Sequence, residues 1–267
     1  MRARSRLLLA FFLACALPVS AQEHLRLATT TSTENSGLLG FLLPTFEKAF
    51  NLKVDVVAVG SGQALKLAEN GDADVVLSHA PKLEEAFVAA GFGVNRRDVM
   101  YNDFIIVGPP ADPAGIKGMP SAAQALKTLA DKQATFLSRG DESGTHIKEK
   151  ELWTAAGVTP SGGWYRSAGV GMGQLLQMAD ETRGYTLTDR GTYVSRQQKG
   201  DLVILVEKDP ALFNPYSLIA TNPARHRTAK YIPAMQLIAW MTSPEGQQQI
   251  KSFQVGGQSL FVPTAVP

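Results

Sequence analysis

The sequence predicts an α/β protein built as two lobes with a ligand cleft between them. Short β-branched runs alternate with helical patterns along the whole chain. The alternation restarts after Gly108-Pro109-Pro110, as it would at the entry to a second, similar lobe. Turns rich in Ser, Thr and Gly recur where a strand hands over to a helix. Open α/β sheets bind ligands in that position, beyond the carboxyl ends of their strands.

His24 to Ala28 alternates like a strand and runs into a Ser/Thr turn. A helix is expected from about Ser36, with Leu38, Leu39, Leu42, Leu43 and Phe46 on one side and Pro44 as a kink. Val54 to Val59 is a second strand, Ser61-Gly62 opens a helix, and Asp74 to Ser78 is a third strand. Pro81 starts a helix with Glu84 and Glu85 in its first turns, where the helix dipole favours negative charge. Val99 to Val107 is a longer strand. After it come a helix from Ser121, a strand over Ala134 to Leu137, a helix from Ser143, a strand near Trp164 to Arg166 and a helix from Gly171. Strands at Leu202 to Val206 and Tyr216 to Ala220 precede two closing helices, near Thr228 to Met241 and from Pro244. Residues 22–107 plus 202–267 are expected to form one lobe, and 108–201 the other.

The first residues set the expected compartment. Arg2, Arg4 and Arg6 form a positive region, Leu7 to Leu17 is uncharged and apolar, and Val19-Ser20-Ala21 offers a cleavage site before Gln22. Residues 1–21 are therefore read as a signal peptide, and the protein as secreted to the periplasm. Cys15, the only cysteine, lies inside this leader; simple cleavage after Ala21 is preferred to a lipoprotein site there and leaves no thiol. Removal of the leader leaves 23 basic and 24 acidic residues, a net charge of about −1. Such a balance speaks against nucleic acid or an anionic membrane surface as partner. Any anion site must be built locally from a few aimed donors.

Three turns offer such donors: Thr29-Thr30-Thr31-Ser32, Gly60-Ser61-Gly62, and Ser138-Arg139-Gly140-Asp141-Glu142-Ser143-Gly144-Thr145. Each follows an expected strand and opens an expected helix, whose first backbone N–H groups and positive dipole end suit an anion. Hydroxyls add donors, and glycine lets the backbone approach closely. Any one of these turns alone reads as a helix cap. Arg139 has no capping role, and its planar fork matches an oxyanion. Charge-assisted hydrogen bonds are each worth about 1.5–3 kcal/mol, so four or five reach the roughly 12 kcal/mol of a nanomolar site before association costs. Gly169 to Gly173 opens a further helix and would either add amides or allow close packing.

These residues carry a resemblance. Leu27-Ala-Thr-Thr-Thr-Ser-Thr-Glu-Asn-Ser-Gly-Leu38, Val57-Ala-Val-Gly-Ser-Gly-Gln-Ala-Leu65, Gly71-Asp-Ala-Asp-Val75, Val99-Met-Tyr-Asn-Asp-Phe104, Ser138-Arg-Gly-Asp-Glu-Ser-Gly-Thr-His146, Gly171-Met-Gly173 and Tyr185-Thr-Leu-Thr-Asp-Arg-Gly-Thr-Tyr193 together resemble the tungstate-binding component of tungstate-specific ABC importers. The resemblance implies a two-lobed periplasmic-binding-protein fold (type II) that closes on the oxyanion. It further implies a ligand shell of Thr30, Thr31, Ser32, Ser61, Arg139, Ser143, Gly144 and Thr145. An ABC permease at the inner membrane is the implied partner, with the receptor itself a monomer and no cofactor beyond the tungstate ligand. Molybdate shares the charge and shape of tungstate, so the preference between them comes from the resemblance.

The Arg139 turn is also similar to that of phosphate-binding proteins. Those carry an aspartate in a Ser-Asp-Ala-Pro segment, where this chain has Ser78-His79-Ala80-Pro81. A site made only of donors favours a fully deprotonated oxyanion, and a carboxylate facing it would repel it. Phosphate or sulfate receptors are the alternative ligand readings, and a phosphate-ester hydrolase the alternative class. Against the hydrolase, Ser143 and His146 lack a nucleophile elbow, and His24, His79, His146 and His226 show no metal-ligand spacing. No catalytic residue and no metal site are expected. His146 with Glu149, and Asp72 with Asp74, read as solvated. Trp153, Trp164 and Trp240 read as core or interface aromatics. Asp189-Arg190 either clasps the lobes or caps a helix.

Overall fold

A computed structural model describes residues 22–196 and 200–265. The expected leader, with Cys15 and the cleavage site, lies outside the described residues. The first lobe begins with β1 (Glu23–Thr30), α1 (Thr31–Asn35), α2 (Leu38–Phe50), β2 (Leu52–Val59), α3 (Ser61–Asn70), β3 (Val75–Ser78) and α4 (Pro81–Ala89), followed by the long β4 (Gly93–Gly108). The second lobe contains α5 (Ala122–Asp131), β5 (Phe136–Ser138), α6 (Gly144–Ala155), β6 (Tyr165–Ser167), α7 (Met172–Glu181), β7 (Tyr185–Asp189), α8 (Arg190–Ser195) and β8 (Val203–Val206). The chain returns through a 3-10 turn (Pro210–Leu212) to β9 (Phe213–Thr221), α9 (Tyr231–Met241), α10 (Pro244–Ser252) and the short strands β10 (Gln254–Val255), β11 (Gln258–Ser259) and β12 (Val262–Pro263).

Two sheets share β4. In the first the order is β2-β1-β3-β9-β4, with β1 parallel to β2 and β3, and β9 antiparallel to both β3 and β4. In the second, β4 continues into β7-β5-β6, and β8 also pairs β4. The change of sheet falls inside one strand: Asp103 pairs Phe213 of β9, whereas Phe104 pairs Asp189 of β7. Beyond that point the strand's period of two feeds both faces of the second sheet. Phe104 and Ile106 pack with Phe136, Trp153 and Tyr185, whereas Ile105 and Val107 pack with Leu137, Met172 and Leu175.

Phe104 to Val107, Leu202, Leu205, Val206 and Leu212 pack with residues of α5, α6, α7 and β7. An unbroken apolar run carries no mark of where it changes partner sheets. The helix expected from about Ser36 is α2, which starts at Leu38 after Gly37 (φ 80°), and a short α1 precedes it. Thr31 and Ser32 therefore sit in a short helix. The strand β7 and the helix α8 went unread. Asp74 is buried and far from solvated: its carboxylate accepts from Arg26 N (2.9 Å), Nε (3.1 Å) and Nη2 (2.7 Å), and from Lys230 N (3.0 Å). Glu149 is buried as well, accepting from Trp153 Nε1 at 3.1 Å and Tyr165 OH at 2.8 Å.

Candidate oxyanion site

The N-termini of two helices from different lobes face each other. α3 begins after Gly60 with no side-chain cap, and α6 begins after its cap Ser143. Gly144 N donates to Ser61 Oγ across the cleft at 3.2 Å. A Cβ on Gly60 would lie 3.9 Å from Ser143 Cα, and one on Gly62 3.8 Å from Glu142 O, so the glycines allow this approach. Both helix dipoles thus direct their positive ends into the same space.

The threonine turn joins them from the end of β1. Thr30 caps α1, accepting from Thr33 N at 3.3 Å, and its Oγ1 lies 3.1 Å from Ser32 Oγ. Ser32 Oγ in turn lies 3.4 Å from His79 Nε2. A Cβ on Gly144 would come within 3.0 Å of both His79 Cε1 and Ser61 Oγ, so Ser32, His79, Ser61 and Gly144 converge. The second lobe reaches the same turn through Thr192 Oγ1, which lies 3.5 Å from Ser32 O while its hydroxyl donates to Asp189 Oδ2 at 2.8 Å. The glycine helix start, α7, comes beside it: a Cβ on Gly173 would lie 3.9 Å from Asn35 Nδ2.

Arg139 is only 3% exposed. Its Nη2 donates to Asp141 Oδ2 at 2.5 Å, and Asp141 Oδ1 accepts from Ser143 N at 3.1 Å. Asp141 therefore locks both the guanidinium and the cap of α6. Arg139 Nε, Thr145 Oγ1 and Thr31 Oγ1 are buried without a hydrogen-bond partner among the described residues. Buried donors are rarely left unpaired, and those that are call for an explanation. Ser143 spends its oxygen as a cap acceptor and keeps one hydroxyl proton to donate, whereas Thr30 Oγ1 also shares hydrogen bonds with Thr33 Oγ1 (2.7 Å) and Ser32 Oγ (3.1 Å).

His79, Asp141 and Thr192 were not in the expected shell. For His79 the signal was its place in the Ser-His-Ala-Pro segment; for Asp141 it was a carboxylate two residues beyond Arg139. Burial pushes the His79 pKa down, and a hydrogen bond to Asn214 and the Asp189 charge oppose this only in part. His146 does not pair with the Ser143 hydroxyl. Its backbone N donates to Ser143 Oγ, and its imidazole Nδ1 accepts from Glu142 N at 3.1 Å. Asp189 and Arg190 do both things the sequence allowed. Asp189 caps α8, accepting from Thr192 N at 2.7 Å. Arg190 clasps Asp103 (2.7 and 2.6 Å) and Glu207 (2.7 Å) where the chain crosses between lobes.

The chain matches a PBP superfamily domain over residues 18–245. It is 52% identical over 249 residues to a putative ABC transporter anion-binding protein of Haloferax volcanii, covering 91% of this chain and 73% of that one. It is 48% identical over 249 residues to the tungstate-binding protein TupA of Peptoclostridium acidaminophilum, covering 92% of this chain and 87% of that protein. A crystal structure titled as the tungstate ABC transporter from Geobacter sulfurreducens is 60% identical, with a TM-score of 0.82 over 87% of this chain and all of that one.

Proposed function

The chain belongs to the family of tungstate-binding proteins within the PBP superfamily, and from that premise we propose that it captures tungstate in the periplasm and presents it to an ABC importer. The observation that carries the site is that three of the buried polar atoms left without partners among the described residues, Arg139 Nε, Thr145 Oγ1 and Thr31 Oγ1, lie in these turns and come from both lobes. With Thr30, Ser32, Ser61, Ser143 and the Gly144 amide region they form a shell of hydroxyls, backbone N–H groups and one guanidinium. A tetrahedral dianion accepts several hydrogen bonds at once, and bonds to an ion are about twice as strong as neutral ones.

In this reading the first lobe offers the threonine turn and the start of α3, and closure brings Arg139 and the start of α6 onto the anion. We draw the lobes at 22–103 plus 213–265 and at 104–212, where β4 and β9 cross. The closed form is what an inner-membrane permease would recognise. The protein binds and releases its ligand without chemistry, as a cleaved, monomeric receptor. Molybdate, with the same charge and shape, is the nearest competitor.

Calorimetric titration of the protein lacking residues 1–21 tests this with tungstate, molybdate, sulfate and phosphate. Tight binding of tungstate, with sulfate and phosphate silent, is the expected result. Binding of phosphate or sulfate in place of tungstate would overturn the ligand assignment. Silence from all four would reduce the three turns to helix caps.

A further inference from the structure

His79 has one ring nitrogen committed to the interlobe strands and the other turned to the oxyanion shell. Its Nδ1 lies 2.9 Å from Asn214 Oδ1. The orientation of that amide is set by its other end, where Asn214 Nδ2 donates to Asn102 Oδ1 at 2.6 Å and to Tyr216 OH at 3.2 Å. Asn102 Nδ2 is itself buried without a hydrogen-bond partner among the described residues, so Asn102 meets Asn214 through its Oδ1. With Asn214 Oδ1 as acceptor, His79 carries its proton on Nδ1. In the neutral ring Nε2 is then a bare lone pair, and it faces Ser32 Oγ at 3.4 Å.

Proton counting follows. Ser32 has one hydroxyl proton. If that proton is given to His79 Nε2, Ser32 presents only lone pairs to a dianion, which repel it. If His79 gains a second proton, Nε2–H donates to Ser32 Oγ, and Ser32 donates its own proton to the anion. We propose that His79 is a positioning residue that takes up one proton from solvent when the oxyanion dianion binds, turning Ser32 into a donor, and releases it when the anion leaves. This rests on the oxyanion-receptor reading above.

A cavity of about 180 Å³ is lined by His79, Pro81, Lys82, Gly144 and Phe213, among others, with Lys148 and Glu151 at the same cavity. Around the imidazole, Tyr216 stacks at 4.9 Å from β9, Phe104 stands at 6.1 Å from β4, and Asp189 and Arg139 supply opposite charges from the second lobe. Burial keeps the ring neutral when the cleft holds no dianion. A dianion adds to Asp189, outweighs Arg139 and favours the imidazolium.

The test is calorimetry of sodium tungstate binding at one pH in buffers of differing ionisation enthalpy, repeated from about pH 6 to 8, the range in which a histidine titrates. The wild type is expected to take up close to one proton per tungstate where free His79 is neutral and bound His79 charged. Its Kd should weaken about tenfold per pH unit across that interval. His79→Gln donates an amide proton at every pH, so its binding should show no uptake and a flat pH profile. His24→Gln, at an exposed position on β1, should keep the wild-type uptake. Imidazole nitrogen resonances of isotope-labelled wild type give a reading independent of any variant's folding: Nε2 of His79 should be unprotonated in the free protein and protonated with tungstate. Tungstate binding without uptake, uptake that survives in His79→Gln, or an Nε2 already protonated in the free protein would each overturn the proposal. Failure to bind tungstate at any pH would overturn the receptor reading along with it.

Discussion

Gly144 of the second lobe donates its backbone N–H to Ser61 Oγ of the first at 3.2 Å, and each residue lies in the first turn of its own helix. One hydrogen bond therefore ties together two positive helix ends that would otherwise repel each other. The cost of bringing them together is offset once an anion lies between them.

Gly144→Ala tests that contact. An added methyl would sit 3.0 Å from Ser61 Oγ and 3.0 Å from His79 Cε1, both in the opposite lobe. Alanine is a better helix former than glycine, so the second lobe loses nothing by itself. Overpacking of this kind costs about 1–3 kcal/mol. Tungstate affinity should fall at least about fivefold, while the unfolding midpoint of the ligand-free protein stays level or rises. Unchanged affinity would mean that the lobes meet less closely in the bound state.

Arg139→Lys should lower tungstate affinity about tenfold to a hundredfold, since a hydrogen bond to a charged group is worth about 1.5–3 kcal/mol. The guanidinium spends Nη2 on Asp141 and keeps Nε free, a division of labour that a single ammonium cannot copy. Calorimetry on the folded variant measures the loss. Wild-type affinity would show that the charge alone matters and the fork does not.

The regular elements were legible because periodicity reports burial locally. β1, α3, α5 and α9 stand close to where their apolar spacing put them. β7 was not legible, because its Thr186 and Thr188 look like a polar turn. Both are buried, and their hydroxyls donate to Leu137 O (2.8 Å) and Asp189 O (3.1 Å), so the strand carries its own satisfied polar groups inward. Asp74 and His79 failed for another reason. Their partners, Arg26 with Lys230 and Asn214 with Ser32, lie 47 to 156 residues away, and no local pattern encodes such meetings. The three hydroxyl turns were readable one by one. Which of their atoms stay unpaired required the fold.

Asp74→Ala should destabilise the first lobe by about 3 kcal/mol, the low end for breaking a buried ion pair, since Arg26 keeps access to water. Burial raises the Asp74 pKa, but the bonds from Arg26 and from the Lys230 and Arg26 N–H groups together hold it below the ordinary 3.8. A lowered carboxylate contributes fully above its unfolded value and is lost as pH falls through its folded one. The wild-type advantage over Asp74→Ala in urea unfolding should therefore be whole at neutral pH and shrink only below about pH 4. An advantage that stays constant into acid would show that packing, not charge, supplies it.

Glu149 has the opposite sign. Burial raises its carboxyl to about 7, even though bonds from Tyr165 and Trp153 favour the charged form. The folded chain thus holds this proton more tightly than the unfolded chain does. The resulting stability is fully present below the ordinary value of 4.5 and is lost as pH rises through about 7. Glu149→Gln removes the titration while its Oε1 can still accept from Trp153 Nε1 and Tyr165 OH. Thermal unfolding of the two proteins from about pH 4 to 8 should show the variant gaining on the wild type as pH rises between 4.5 and about 7, and levelling off above that. Parallel curves would place the charged form of Glu149 in a better solvated setting than its burial implies. Tyr165 and Trp153 would then be solvating a carboxylate, and α6 would carry a negative charge one turn beyond Thr145, close enough to weaken any dianion held at its N-terminus.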